Sequence, residues 1–198
     1  VDAEIENYEM PVAAKHDSYH AVAAFAIFAG SMILLYAAST IYHTFNISEK
    51  MNKILRKADH MMIFILIAGS YTPICVIPLR DTVGIPLLIL VWAVAIAGML
   101  IKAFWITCPK WFSSIIYISM GWLCVLAMVP LVQALPAAAF VWLVAGGVIY
   151  TVGGIIYALK LPLFNSRHQF FGSHEIFHLF VMAGSLCHYV VMFYIALM

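Results

Sequence analysis

The chain has few charged residues. Only 10% of its 198 residues are Asp, Glu, Lys or Arg, whereas 65% are hydrophobic. A soluble domain is nearer half apolar and about a quarter charged. The composition therefore excludes an ordinary soluble domain and indicates an integral membrane protein. The net charge of +1 gives no reason to expect nucleic acid as a partner.

Cysteine is also scarce, and its spacing excludes the usual cysteine-based sites. The four cysteines form no CxxC pair: Cys75, Cys108, Cys124 and Cys187. We therefore expect neither a disulfide framework nor a thiolate metal cluster. Three of the four fall within apolar stretches, where small buried hydrophobic residues are the simpler interpretation.

The start of the chain lacks the basic residues of a secretory signal peptide. Residues 1–17 contain five acidic residues and Lys15 as their one Lys or Arg. We treat 1–17 as an acidic extracytoplasmic segment. Residues 18–198 show no internal repeat and are expected to form a single transmembrane helical-bundle domain.

Long apolar runs predict the fold class. A helix needs about 20 apolar residues to cross a bilayer, and runs of this length exclude the alternating pattern of a barrel. Six stretches qualify: Ala21–His43, Met61–Pro78, Val83–Ile101, Ser113–Val132, Ala137–Leu159 and His174–Met198. The sequence therefore predicts an all-α integral membrane protein, a polytopic helical bundle with six spans in this chain.

The basic residues predict the orientation. Alternating spans place three loops on one side, and these loops hold eight of the ten Lys and Arg residues: Lys50, Lys53, Arg56, Lys57, Lys102, Lys110, Lys160 and Arg167. By the positive-inside rule this side is cytoplasmic, and the C-terminus at Met198 is extracytoplasmic. We expect a multi-pass protein of the plasma membrane.

Four residues that bind or activate metals fall at the predicted cytoplasmic end of different spans. His43 ends the first span, Asp59 precedes the second, and His174 and His178 open the last. His174 and His178 are four residues apart and share a helix face. Ser39 lies one turn deeper than His43 on the same face.

This set of residues favours zinc. Three imidazoles and a carboxylate suit Zn²⁺ better than haem or magnesium. We predict His43, His174 and His178 as zinc ligands, with Asp59 holding the water on the metal and Ser39 bonding that water or the developing oxyanion. A water on zinc has a pKa near about 7 and is a nucleophile at neutral pH.

Each residue also has a simpler interpretation. Histidine at a helix end often contacts only interfacial water. Asp59 can pair with Lys57 or Arg56, or be hydrated at a helix N-terminus. Ser39 can be a packing residue or bond its own backbone. The shared side and depth of the four residues favour a metal site.

The remaining histidines are weaker candidates. His188 lies ten residues beyond His178, about 15 Å along a helix, and is not expected to be a ligand. His60 adjoins Asp59 but points about 100° away from it, so it is expected at most near the site. His16, His20 and His168 are expected at the solvated surface. Glu175 is expected to point away from the His174–His178 face.

Two segments at opposite ends of the chain resemble the haemolysin III family, the bacterial branch of the progestin and adipoQ receptors. One runs from Ser39 to Pro73, with SxxxH, Asp59 and GSYTP. The other runs from Ser173 to Tyr189, with SHEIFH and AGSLCHY. The resemblance implies a seven-helix bundle with zinc at its cytoplasmic end. The same ligand set follows from it: His43, His174 and His178, completed by Asp59 and Ser39. Since SxxxH belongs to the second helix of that family, its first helix is expected to be missing here.

Two functions from different classes remain open. The first is a zinc-dependent, ceramidase-like hydrolase of a lipid amide or ester, since the resemblance includes receptors linked to ceramide hydrolysis. The alternative is an adiponectin-receptor-like lipid sensor with a structural zinc site. Membrane lipids are the expected partners of both, with a lipid substrate in an internal cavity. A pore-forming toxin is suggested by the family name alone, and a haem protein by the paired histidines alone.

Overall fold

The computed structural model describes residues 12–159 and 172–198, with side chains from residue 18 onward. The described residues form helices joined by short connections, with no strand among them. The helices are α1 (Val12–Thr44), α2 (Glu49–Val76), α3 (Gly84–Phe104), α4 (Lys110–Gly121), a 3-10 helix (Trp122–Ala127), α5 (Met128–Ala134), α6 (Ala137–Leu159) and α7 (Ser173–Ala196). The all-α fold class is confirmed.

Six stretches of described helix are long and apolar enough to cross a bilayer, and each overlaps one predicted span. Their outer faces carry large apolar side chains such as Ile33, Leu126 and Leu186, which are 69%, 70% and 61% exposed. Apolar surface spread around a whole bundle fits a lipid environment, in which the backbone bonds itself within helices. The polytopic membrane architecture is therefore confirmed.

Some sequence predictions fall outside the described residues. These are the residues before Val12, the side chains of Lys15 and His16, and the loop residues Lys160, Arg167 and His168. Helix α1 begins at Val12, so the boundary drawn at residue 17 lies within a helix.

Helix α2 lies at the centre of the bundle. It packs against α1, α3, α4 and α7. In its apolar stretch 61% of the residues are buried, against 17–33% in the other spans. Asp59 and the segment Gly69–Pro73 are both buried on this helix. The two motifs of α2 are therefore surrounded by protein.

The start of the second span was predicted wrongly. We expected a basic loop followed by a helix from Met61, but α2 begins at Glu49 and includes Lys50, Lys53, Arg56 and Lys57. The reason is local, since the Ser48 side chain accepts a hydrogen bond from the Met51 amide at 3.2 Å and caps the helix. Lys and Arg are also good helix formers. Asp59 is therefore preceded by nearly three turns of helix.

The fourth span is present, but it is not the single helix that was expected. Its backbone changes from α4 to a 3-10 helix after Gly121, and α5 resumes at Met128. The Tyr71 hydroxyl of α2 donates to the Gly121 carbonyl at 2.6 Å and accepts from the Cys124 amide at 2.8 Å. Tyr71 thus satisfies backbone groups that a broken helix would leave unpaired in the membrane.

Glycines bring α6 and α7 close together. A Cβ atom added at Gly153 would lie 2.6 Å from Phe180, and one at Gly146 would lie 2.8 Å from His188. Across the same interface, a Cβ at Gly184 would lie 2.8 Å from the Tyr150 ring. This close approach, common for small residues in membrane helices, sets the position of α7 and of its histidines.

Candidate metal centre

The structure brings together the three histidines that the sequence scatters. His43 lies in the last turn of α1, and His174 and His178 lie in the first two turns of α7. The Nε2 atom of His174 is 3.2 Å from Nε2 of His43 and 3.2 Å from Nε2 of His178. Each histidine offers a ligand atom, and these atoms all lie within 4.8 Å of one another.

The spacing of these nitrogens fits one small tetrahedral ion. Zn–N bonds measure about 2.0–2.1 Å, so two nitrogens on the same tetrahedral zinc lie about 3.4 Å apart. The observed 3.2 Å separations are close to this value. Three imidazoles also leave a fourth tetrahedral position for another group, as in catalytic zinc sites. The donor set and its spacing therefore fit zinc.

Hydrogen bonds among the three rings satisfy these nitrogens only partly. A neutral imidazole carries one N–H and one lone pair. The Nε2 of His174 faces two other Nε2 atoms and can donate to only one of them. If Nε2 of His174 is instead unprotonated, the N–H groups of both neighbours must share its single lone pair. A bound cation removes this conflict, because each Nε2 then points a lone pair at positive charge.

Asp59 lies beside the histidines and, unlike them, is buried. Its side chain belongs to a residue only 6% exposed, and it interacts with the Ser39 side chain of α1. Ser39, Asp59, His174 and His178 line one cavity of about 40 Å³. Asp59 is not within the group of three ligand atoms. This placement fits a residue that acts beside the ion and does not bind it directly.

His60 contributes more than the sequence indicated. Its Nδ1 is 2.9 Å from the Arg56 carbonyl oxygen, which is an acceptor, so Nδ1 carries the proton. The same Nδ1 lies 3.4 Å from Oδ2 of Asp59. The Tyr117 hydroxyl in turn donates to the His60 carbonyl at 3.1 Å. His60 therefore orients Asp59, and the adjacent polar pair in an apolar span was the signal for it.

Two further tyrosines line the site and were not predicted. Tyr36 shares the lining of the 40 Å³ cavity with Tyr157 of α6, whose ring centroid is 6.0 Å from that of His174. Tyr36, Ser39 and His43 are spaced by three and four residues, which places them on one helix face. That spacing would have identified Tyr36. No local sequence pattern marks Tyr157. It reaches the site only because α6 packs beside it.

The other candidates behave differently. The Glu175 carboxylate accepts a hydrogen bond from the Gly172 amide at 2.8 Å and caps the start of α7. It thereby fixes the helix turn that carries His174. The His20 side chain is exposed. His188 lies far along α7 and is not among the grouped ligand atoms of the described residues.

A second, larger cavity adjoins the first. It has a volume of about 120 Å³ and mostly apolar walls. The two cavities share five lining residues: Leu35, Ile63, Tyr117, Phe177 and Val181. An apolar chamber thus begins directly behind the histidine cluster and continues into the bundle.

The described residues form six apolar spans, and three histidine side chains converge at one end of them. This is a polytopic helical membrane protein with a candidate metal centre. Comparison with known proteins agrees with this class. The model of a family described as haemolysin-III related matches residues 8–189. The chain belongs to this haemolysin-III-related family.

Individual relatives give the same result. Hemolysin-3 of Bacillus cereus is 39% identical over 184 residues, which cover 92% of this chain and 80% of the relative. A Hemolysin-3 homolog of Bacillus subtilis is 39% identical over 183 residues, covering 92% and 82%. The Adiponectin receptor protein of Drosophila melanogaster is 27% identical over 199 residues, covering 83% of this chain and 40% of the receptor.

Proposed function

We propose that this protein is a zinc-dependent membrane hydrolase that cleaves a lipid amide or ester. The observation that carries the proposal is the convergence of three histidines, with Nε2 of His174 lying 3.2 Å from Nε2 of both His43 and His178, beside a buried carboxylate and at the mouth of an apolar chamber. His43, His174 and His178 would hold the ion. When bound, zinc supplies Lewis acidity and lowers the pKa of water towards neutrality.

Asp59 is the general base of this proposal. Its carboxylate is held by Ser39 on one side and lies 3.4 Å from the protonated His60 Nδ1 on the other. Held in this way, it accepts a proton from the attacking water and returns that proton to the departing amine or alcohol. The Ser39 hydroxyl lies in the same cavity and can donate to the oxygen that becomes negative at the cleaved carbonyl.

The apolar chamber accounts for the substrate class. Its walls would take up an acyl chain. Phe177 and Val181, which line both cavities, would flank that chain where it passes from the chamber to the histidines. A bond next to a long chain would then be placed at the histidines, and water would be kept out of the rest of the chamber.

The proposed site faces the cytoplasm. Helix α1 ends and α7 begins at the histidine cluster, and the same end of the bundle carries basic residues. Lys57 of α2 donates to the Ala103 carbonyl at 2.6 Å, and the Nζ of Lys110 lies 4.2 Å above the Tyr157 ring. Such an accumulation of basic residues is typical of the cytoplasmic side.

A lipid receptor with a structural zinc ion is the second candidate. It is supported by the 27% identity to the Adiponectin receptor protein of Drosophila melanogaster. It is also supported by the position of the cluster, which would join the first and last described helices through one ion. In this case zinc would stabilise the bundle without turnover.

Substitution of Asp59 separates the two functions. We expect Asp59→Asn to lower hydrolysis of a fluorescent ceramide about 10²–10⁴-fold, the usual contribution of a general base, while the zinc content stays near that of the parent. Asp81→Asn is the matched control, since Asp81 is exposed in the turn after α2. A parent that binds zinc but cleaves neither amide nor ester probes would leave the receptor function.

A further inference from the structure

His188 lies on the same face of α7 as the two proposed ligands. His174, His178, Val181, Ser185 and His188 follow one another at spacings of four, three, four and three residues, which align them along one side of a helix. Ten residues separate His178 from His188, so the second imidazole lies about 15 Å deeper in the bundle. There it lines the larger apolar chamber.

The imidazole of His188 is incompletely satisfied. Its Nδ1 is buried and has no hydrogen-bond partner, and it is the one buried side-chain polar atom of which this is true in the described part of the chain. The ring is held in place by Tyr150, at a centroid distance of 5.4 Å, and by the close approach of Gly146. A rigidly held, unpaired polar atom is costly in an apolar interior unless a ligand pairs with it.

Several other polar side chains around the chamber have partners. The Trp122 indole donates to the Thr151 hydroxyl at 2.8 Å. The Tyr150 hydroxyl bonds the Ser185 hydroxyl at 2.9 Å. Tyr71 is paired at the helix break. A buried water generally requires two to four polar partners, and His188 Nδ1 offers only one. An apolar ligand with a single polar group suits the chamber better.

From this geometry we infer that His188 selects lipid chains that carry one hydroxyl group along their length. The inference rests on the proposed function, because it assumes that a lipid chain enters the chamber from the histidine cluster. A hydroxyl can donate or accept, so it can pair with a ring nitrogen of His188 in either tautomer of the ring. His188 would then be a specificity residue about 15 Å from the cleaved bond.

Binding of two fatty acids that differ by one hydroxyl tests the inference. Stearate and a mid-chain hydroxystearate would compete with a fluorescent fatty acid for the purified full chain in nanodiscs. We expect the parent to bind the hydroxylated chain about tenfold more tightly, the ratio that one ordinary net hydrogen bond provides. His188→Phe and His188→Leu should bring this ratio close to one. His20→Phe, at an exposed position, is the control.

The same measurement separates this inference from the hydrolase proposal. A chain with His43, His174 and His178 all changed to Ala should keep the preference, because binding in the chamber needs no turnover. The inference is overturned if the parent binds neither acid or binds both equally. It is also overturned if either His188→Phe or His188→Leu folds and still prefers the hydroxylated acid.

Discussion

Two polar clusters of this membrane bundle differ in how their hydrogen bonds are satisfied. At the break of the fourth span, Tyr71 donates to Gly121 and accepts from Cys124, at 2.6 and 2.8 Å. At the histidine cluster, the Nε2 atom of His174 lies 3.2 Å from the Nε2 atoms of both His43 and His178, and it can donate a hydrogen bond to only one of them. The first cluster is complete within the protein, whereas the second has the donors and spacing of the metal centre proposed above.

The difference distinguishes structural from functional polar residues. Both motifs are conspicuous in the sequence as polar groups within apolar spans, which invite a functional interpretation. Only the contacts show that Tyr71 stabilises the fold, because its partners are backbone groups of the same chain. The Nε2 atoms of the three histidines contact one another instead of the backbone, which is the arrangement that the proposed metal centre requires.

Removal of the metal should have the largest effect on stability, and this effect should distinguish the histidine cluster from the Tyr71 cluster. The proposed zinc joins α1 to α7, so chelation should lower the stability of the parent by about 4 kcal/mol if zinc is present at about a thousand times its Kd. His178→Ala should already have this lower stability and should not respond to the chelator. Thermal unfolding monitored by tryptophan fluorescence, with and without chelator, measures both.

Loss of the Tyr71 hydroxyl should affect stability alone. Tyr71→Phe leaves the Gly121 carbonyl and the Cys124 amide without their partner, which should cost about 1–3 kcal/mol. The zinc content and the response to chelator should stay those of the parent. Tyr189→Phe is the matched control, because Tyr189 is 58% exposed. A loss of zinc in the folded Tyr71 variant would show that the two clusters are coupled.

The smallest effect on stability is expected from the loss of one hydrogen bond to Ser185, which two tyrosines contact. Its hydroxyl lies 2.8 Å from the Tyr36 hydroxyl and 2.9 Å from that of Tyr150. Tyr150→Phe removes one of these bonds, and interhelical hydrogen bonds in membranes average about 0.6 kcal/mol. A denaturant titration should show a change of this size with zinc retained. A cost of several kcal/mol would mean that this network is more than an auxiliary contact.

The sequence was sufficient for the spans and for the juxtaposition of the site residues. Span length follows from bilayer thickness, and alternation of short-looped helices brings His43, Asp59 and His174 to one end. The start of α2 and the break after Gly121 were not predictable in this way. The first depends on the Ser48 cap, and the second depends on Tyr71, which is 50 residues away from Gly121 along the chain.

The roles of the site residues are still predictions, although the structure places them together. His43, His174 and His178 meet, and Ser39 and Asp59 line the adjoining cavity. Tyr157 escaped prediction because helix packing alone brings it to the site. The adjacency of His60 and Asp59 in the sequence was a signal, but the contact between their side chains depends on the orientation of the His60 ring.

Zinc content per chain tests the central claim most directly. Mass spectrometry would compare detergent-purified parent protein with a variant in which His43, His174 and His178 are all changed to Ala. His20→Ala would serve as the control histidine. We predict about one zinc per chain in the parent and in the control, and none in the triple variant. A folded parent without zinc, or a triple variant that retains it, would contradict the proposed metal centre.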